Sequence, residues 1–237
     1  MIAYITGTSS GIGKALALKF LKEGHKVVGM SRNCSIEQSN YIHIKLDLLN
    51  LKEVSEFDFP SNLQDDIVLI NNAGVVGPVK PIGHQIEAEI IEVNTVNVIA
   101  PQILTNKFIH KFHTIDKNYQ VINISSGAGK HPIDAWATYC ASKSAIDLFS
   151  ETVYQELKAR NHNNWYIFSI APGVVDTNMQ KAIRSSNPKD FLNHNKFMEL
   201  KSNNELVGPE KVAALLYSVI ESPHNHKDVV FSVRDLV

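Results

Sequence analysis

Ile2-Ala-Tyr-Ile-Thr6-Gly7-Thr8-Ser9-Ser10-Gly11-Ile12-Gly13-Lys14-Ala-Leu-Ala-Leu-Lys-Phe-Leu21 decides how the rest of this chain is read. The apolar run Ile2 to Thr6 predicts a buried strand, and the periodic apolar residues from Gly11 to Glu23 predict a helix. Between them lies a turn with three glycines. Such a turn lets backbone N–H groups approach a pyrophosphate, and the helix N-terminus adds the positive end of its dipole. Gly7, Ser9, Ser10, Gly11, Ile12 and Gly13 are therefore candidates to hold a dinucleotide. The spacing is Gly-x-x-x-Gly-x-Gly rather than the commoner Gly-x-Gly-x-x-Gly, and a glycine-rich turn by itself also serves as a plain tight connection.

Outward from this stretch, short Val- and Ile-rich runs alternate with longer helical patterns. Strands are predicted at Lys26 to Met30, Tyr41 to Ile44, Ile67 to Asn71, Gln120 to Ile124, Tyr166 to Ala171 and Val229 to Val233, and helices at Gln85 to Phe112, Trp136 to Arg160 and Pro209 to Glu221. This alternation predicts an α/β fold, a doubly wound, Rossmann-type, parallel seven-stranded sheet with helices on both faces, built as a single domain over 1–237. The stretch 176–208 is Asn-rich and polar but carries Met179, Ile183, Phe191, Phe197, Met198 and Leu200, a composition that suits a substrate lid better than a linker.

Twenty-three Lys and Arg against twenty-four Asp and Glu leave a formal charge of -1, without the basic excess that nucleic acid demands. No apolar run approaches the ~18 residues of a membrane span, and no signal-peptide pattern is visible, so a cytoplasmic protein without a membrane partner is expected. Cys34 and Cys140 have neither redox nor zinc spacing. His110 and His113 are at helical spacing but lack an evident third ligand, so no metal is expected.

The tip of the second strand reads Gly29-Met30-Ser31-Arg32. An acidic residue there would hold a ribose 2′-hydroxyl, whereas Arg accommodates a 2′-phosphate. Arg32, with Lys14 opposite, thus points to NADP(H).

Tyr139 and Lys143, in Tyr-Cys-Ala-Ser-Lys, stand one helical turn apart on the same face. A phenol with a reference pKa near 10 needs help to move a proton at neutral pH. An ammonium ~4 Å away would lower it by roughly three pH units at an effective dielectric of ~20. Thirteen residues earlier Ser126 ends the strand Val121-Ile-Asn-Ile-Ser-Ser, where a parallel sheet presents residues to its ligand crevice. Pro101, inside a predicted helix, has no N–H for the carbonyl of Asn97, so a kink is expected there. That carbonyl is a mooring point for a proton-carrying water, which favours Asn97 over Asn94.

Together these residues resemble the short-chain dehydrogenase/reductase family over essentially the whole chain. Further matching pieces are Asp47-Leu48, Asn71-Asn-Ala-Gly74 and Pro172-Gly173. The resemblance implies that Tyr139 is the general acid, Ser126 binds the carbonyl oxygen, Lys143 also holds the nicotinamide ribose and Asn97 anchors the relay water. It further implies that Asp47 meets the adenine, that Asn71, Ala73 and Gly74 line the cofactor, that Thr177 holds its carboxamide or phosphate side, and that Leu48, Pro172, Gly173 and Val175 also bind it. It narrows to the sepiapterin-reductase-like branch, and within it to reductases of ring-bearing α-diketones. The strings concerned are Lys80-Pro-Ile, Ala100-Pro-x-Ile-Leu-Thr, Ile124-Ser-Ser-Gly-Ala-Gly-Lys, Trp136-x-x-Tyr-Cys, Pro172-Gly-Val-Val-Asp-Thr-Asn-Met-Gln and Ile183-Arg-Ser-Ser with Asp190-Phe. Sepiapterin reductases carry an acidic pterin anchor where Val233 stands here, with Asp235 the nearest acid. A pocket of Ser126, Tyr139, Trp136 and Met179, with Phe191 nearby, suits aromatic rings. The expected activity is reduction of an α-diketone or aromatic ketone, in a homodimer or homotetramer. A pterin or 3-oxoacyl reductase, or a non-catalytic dinucleotide sensor, stands as the alternative.

Overall fold

β1 (Ile2–Thr6) is buried along its whole length near the middle of a parallel sheet. The computed structural model describes residues 1–60, 65–113 and 117–236. Six more strands join it: β2 (Lys26–Ser31), β3 (Tyr41–Lys45), β4 (Ile67–Asn71), β5 (Tyr119–Ile124), β6 (Trp165–Ala171) and β7 (Val230–Ser232). Their order is β3-β2-β1-β4-β5-β6-β7, all parallel. The winding direction reverses between β1 and β4. In open parallel sheets, ligands bind outside the carboxyl ends of the strands at such a switch point.

Because strand side chains alternate between faces, β1 feeds two cores. Ala3 and Ile5 pack with α1 (Gly11–Lys22) and α8 (Pro209–Glu221) through Leu16, Phe20 and Leu216. Ile2 and Tyr4 pack with α4 (Ala100–Phe112) and α5 (Ala137–Ala159) through Leu104, Phe108, Val153 and Leu157. Phe108 meets Tyr4, Phe59, Phe112 and Trp165 edge-on. Truncating so central a ring costs about 3–5 kcal/mol.

Sequence periodicity misses the short α2 (Leu51–Glu56), which Asn50 caps by accepting the Glu53 N–H. The long third helix is broken into three parts: α3 (Glu87–Asn94), a π-helical stretch Thr95–Ile99, and α4. The Ala100 N–H reaches back five residues to the Thr95 carbonyl. One extra residue in the turn is how the helix accommodates Pro101, which can neither donate to Asn97 nor tolerate a close carbonyl. The kink predicted at Pro101 is thus a π-bulge.

Within 176–208 two helices form that composition concealed, α6 (Asn178–Arg184) and α7 (His194–Ser202). The two ends of this segment meet in a parallel bridge, Val175 to Val207, with the Asp176 N–H bonded to the Val207 carbonyl at 2.9 Å. Lys201 pairs with Asp176 at 2.6 Å. No helix among the described residues is long and apolar enough to cross a membrane.

Candidate active site

The turn after β1 closes on itself. Gly7 adopts φ +75° and Gly11 φ +57°, a region L side chains rarely enter. A Cβ on Gly13 would lie 2.4 Å from the Gly7 carbonyl oxygen and 2.3 Å from Asn72 Nδ2, so Gly13 is required by packing. The Thr6 hydroxyl accepts the N–H groups of Asn72 at 3.0 Å and Ala73 at 2.9 Å. Asn72 Nδ2 in return donates to the Thr6 carbonyl at 2.8 Å. The turn after β4 is thereby stitched to the turn after β1. Sequence reasoning selected Asn71 and missed Asn72. Neighbours at a strand end point to opposite faces, and Asn71 turns inward, its amide donating to Asn123 at 2.8 Å and Thr105 at 3.1 Å.

Over the switch point lies a cavity of about 520 Å³. Its wall at one end is Ser9, Ser10, Gly11 and Ile12, from the start of α1, with Arg32, Asp47 and Leu48 beyond. Gly7, Ala73, Gly74 and Thr177 form the middle, and Tyr139, Lys143, Pro172 and Met179 the other end. Asn72, Val76, Glu92 and Val96, none of them predicted, are also part of the wall. Lys14, Gly13, Asn71, Asn97, Ser126, Trp136, Gly173 and Val175 stand outside that lining. Arg32 is thus brought to the cavity while Lys14 is not. Gly173 takes φ +75° and carries the turn out of β6. Thr177, at the N-cap of α6, lies over Gly11, whose added Cβ would meet its methyl at 3.3 Å.

Tyr139 and Lys143 project from α5 into the end of the cavity, both buried. Ser126, at the N-cap of a 3-10 turn (Gly127–Gly129), accepts the Ala128 N–H at 3.2 Å, and its hydroxyl faces the Tyr139 phenol closely enough to favour the phenolate. Lys143 Nζ donates to the Ile124 carbonyl at 2.8 Å and lies 5.7 Å from the centre of the Tyr139 ring. The expected lowering of the phenol by this ammonium is overturned: Tyr139 is pushed up to about 12, chiefly by burial, with the Ser126 hydroxyl opposing. Burial also lowers Lys143, to about 8, against the pull of Asp147. The ammonium is tied to a backbone carbonyl, and removal from water dominates the phenol.

Asn97 acts through its side chain. Its amide donates to the Val75 carbonyl at 2.8 Å and accepts the Val75 N–H at 2.9 Å, and it also donates to Ser142 Oγ at 3.1 Å. It therefore fixes the loop after β4 against the helix that carries Tyr139. Asn94 instead donates to the Ile90 carbonyl of its own helix.

Trp136 is packed behind Tyr139, edge-on to it at 5.5 Å, and stacks on Phe191 at 5.8 Å. With Phe197 and Ile183 it anchors the 176–208 segment. Trp136, expected on the pocket wall, stands behind it, whereas Met179, also expected there, lines the cavity together with Val76. Both cysteines are free thiols. Among the described residues no group of three or more His, Cys, Asp or Glu is placed to hold a metal ion.

A family model described as short chain dehydrogenase matches residues 1–188. The chain belongs to the short-chain dehydrogenase family. As a member it is an oxidoreductase of the alcohol–carbonyl type, a family that uses nicotinamide cofactors. It is 38% identical over 232 residues to a benzil reductase ((S)-benzoin forming) of Bacillus cereus, covering 92% of this chain and 93% of that one. Two solved structures share its fold. A 4-hydroxyisoleucine dehydrogenase complexed with NADH gives a TM-score of 0.80 at 23% identity, covering 98% of this chain and 95% of that one. A serine dehydrogenase complexed with NADP+ gives 0.79 at 21%, covering 98% and 94%.

Proposed function

We propose that this chain is an NADPH-dependent carbonyl reductase acting on an α-diketone or aromatic ketone, with Tyr139 as general acid. The observation that carries the reading is the meeting of Tyr139 and Lys143 at one end of a cavity, with Ser126 beside the phenol just outside the lining, while the other end is a glycine-cradled helix N-terminus with Arg32 beside it. The residues fit a nicotinamide dinucleotide. Gly7 and Gly13 let the turns after β1 and β4 close tightly into the cradle, α1 has no acidic residue in its first turn, and Arg32 is exposed on the wall for a 2′-phosphate. In this reading Asp47 would meet the adenine, Lys143 the nicotinamide ribose, and Pro172 and Thr177 would also touch the dinucleotide; all four line the cavity.

When bound, the nicotinamide supplies the hydride. Ser126 and Tyr139 present hydroxyl groups to the carbonyl oxygen, and a phenol raised to about 12 holds its proton until the oxygen develops charge. Lys143 provides positive charge beneath the phenol. Because the Asn97 side chain is engaged with Val75 and Ser142, a relay water meets its backbone carbonyl, to which Pro101 has no N–H to give. The 176–208 segment, hinged at Val175 and Val207, serves as the lid, and Met179 and Val76 offer an apolar wall to aromatic rings. By family likeness the working form is a homodimer or homotetramer, and the exposed Ile91, Ile99 and Leu148 supply apolar surface for it.

The test is NADPH oxidation by the purified protein with benzil beside a panel of pterin, 3-oxoacyl and simple ketone substrates, with chiral separation of the benzoin. Turnover confined to another member of the panel overturns the substrate, and preference for NADH overturns the role of Arg32. A protein that binds NADPH but reduces nothing in the panel is the sensor of the alternative reading.

A further inference from the structure

One turn below Lys143 on α5 lies Asp147, a carboxylate only 8% exposed that the tetrad above does not use. Charged groups that deep in a protein are retained only when paired and hydrogen-bonded. Its Oδ1 accepts the Ser169 hydroxyl at 2.6 Å, and Ser169 sits on β6 with no exposure to solvent. Its Oδ2 lies against the 3-10 turn that follows Ser126: a Cβ on Gly129 would come within 2.5 Å of that oxygen and 3.0 Å of the Lys143 carbonyl carbon. Ser144 Oγ donates to the Gly129 carbonyl at 2.6 Å and locks the turn to α5 from the other side. One carboxylate thus touches three elements, β6 through Ser169, α5 on its own face, and the Ser126 turn through Gly129.

The charge balance points the same way. The titratable residues around the cavity are Arg32, Asp47, Glu92, Tyr139 and Lys143. Lys143 Nζ donates to the Ile124 carbonyl, and it shares the neighbourhood of Gly74 with the Asn97 amide; both groups are neutral. Asp147 is the anionic group that acts on the buried ammonium, and it opposes the effect of burial.

We propose that Asp147 is a positioning residue for this site: anchored on Ser169, it balances the charge of Lys143 and seats the turn that carries Ser126. This rests on the reductase reading given above. The geometry explains why position 129 is glycine, since any side chain would displace either the carboxylate or the α5 backbone.

The experiment compares wild type with Asp147→Asn and Ser169→Ala by NMR titration of carbon-labelled lysine, which reads the Lys143 midpoint without turnover, and by kcat/KM against pH. In Asp147→Asn, which keeps the shape but removes the charge, the Lys143 midpoint and the alkaline limb move to lower pH by about one unit or more. In Ser169→Ala they move the same way by less, because the carboxylate stays but is no longer held. Unmoved midpoints in the folded variants overturn the proposal, and if Asp147→Asn fails to fold, Ser169→Ala decides alone. Failure of the reductase reading would show separately, as turnover retained by Tyr139→Phe.

Discussion

Asn97 and Val75 hold each other by both ends of one amide, Nδ2 to carbonyl at 2.8 Å and N–H to Oδ1 at 2.9 Å. A carboxamide is the side chain of this length that can donate and accept side by side. Asn97→Asp replaces the donor with a second acceptor facing the Val75 carbonyl and the Ser142 hydroxyl. The loss is about 1–3 kcal/mol, or a fall in melting temperature of roughly 2–4 °C per kcal/mol, and the displaced loop weakens NADPH binding as well. Thermal melting with NADPH titration checks this, and an unchanged variant would show the double pairing to be dispensable.

Gly13 faces a harder constraint, because nothing near it is a flexible chain end that could move freely: the Gly7 carbonyl is backbone and Asn72 is tied to Thr6. Gly13→Ala is expected to open the cradle, with NADPH affinity lost by more than about tenfold, while the sheet and its far-ultraviolet circular dichroism persist. Fluorescence titration of NADPH gives the readout. Wild-type affinity would mean that the turn relaxes without cost.

Arg32 is exposed, so its removal should leave stability within about 0.5 kcal/mol of wild type. Arg32→Ala should lose about tenfold to a hundredfold in NADPH affinity, the roughly 1.5–3 kcal/mol of hydrogen bonds to a charged group, while NADH binding barely changes. Equal losses for both cofactors would place Arg32 elsewhere than at the 2′-phosphate.

Tyr139→Phe removes the acid and should reduce turnover by at least about a thousandfold with NADPH binding retained. The pH profile tests the partner. Lys143 is charged below about 8 and neutral above, so kcat/KM should fall on the alkaline side near that value, well before Tyr139, raised to about 12, loses its proton. Stability moves in the opposite sense. A lysine lowered on folding is bound by more protons in the unfolded chain between about 8 and about 10.4, so its contribution grows with pH across that window and is lost as pH falls through about 8. An alkaline limb absent below about pH 10 would contradict both halves of this assignment.

Strand positions were legible because fully buried parallel strands are unbroken apolar runs; β1 and β4 fall where the periodicity puts them. The short polar helices α2, α6 and α7 were not, since six to nine residues with one or two buried positions carry too weak a period. Among site residues, Tyr139 and Lys143 could be paired from their spacing alone, a purely local relationship along one helix. Ser126 and Asn97 could be named but not given their contacts, because the partners, Tyr139 and Val75, are distant in sequence.

The residue order by itself determined the doubly wound sheet, the glycine cradle and the spacing of Tyr139 and Lys143, all consequences of side-chain periodicity and local backbone freedom. Tertiary structure alone decided which of two adjacent asparagines faces the cradle, that Trp136 packs on the 176–208 segment instead of lining the pocket, and that burial drives Tyr139 away from the proton affinity its spacing from Lys143 suggested. Those outcomes depend on which groups are withdrawn from water together, and desolvation is a property of the packed molecule that no local pattern carries.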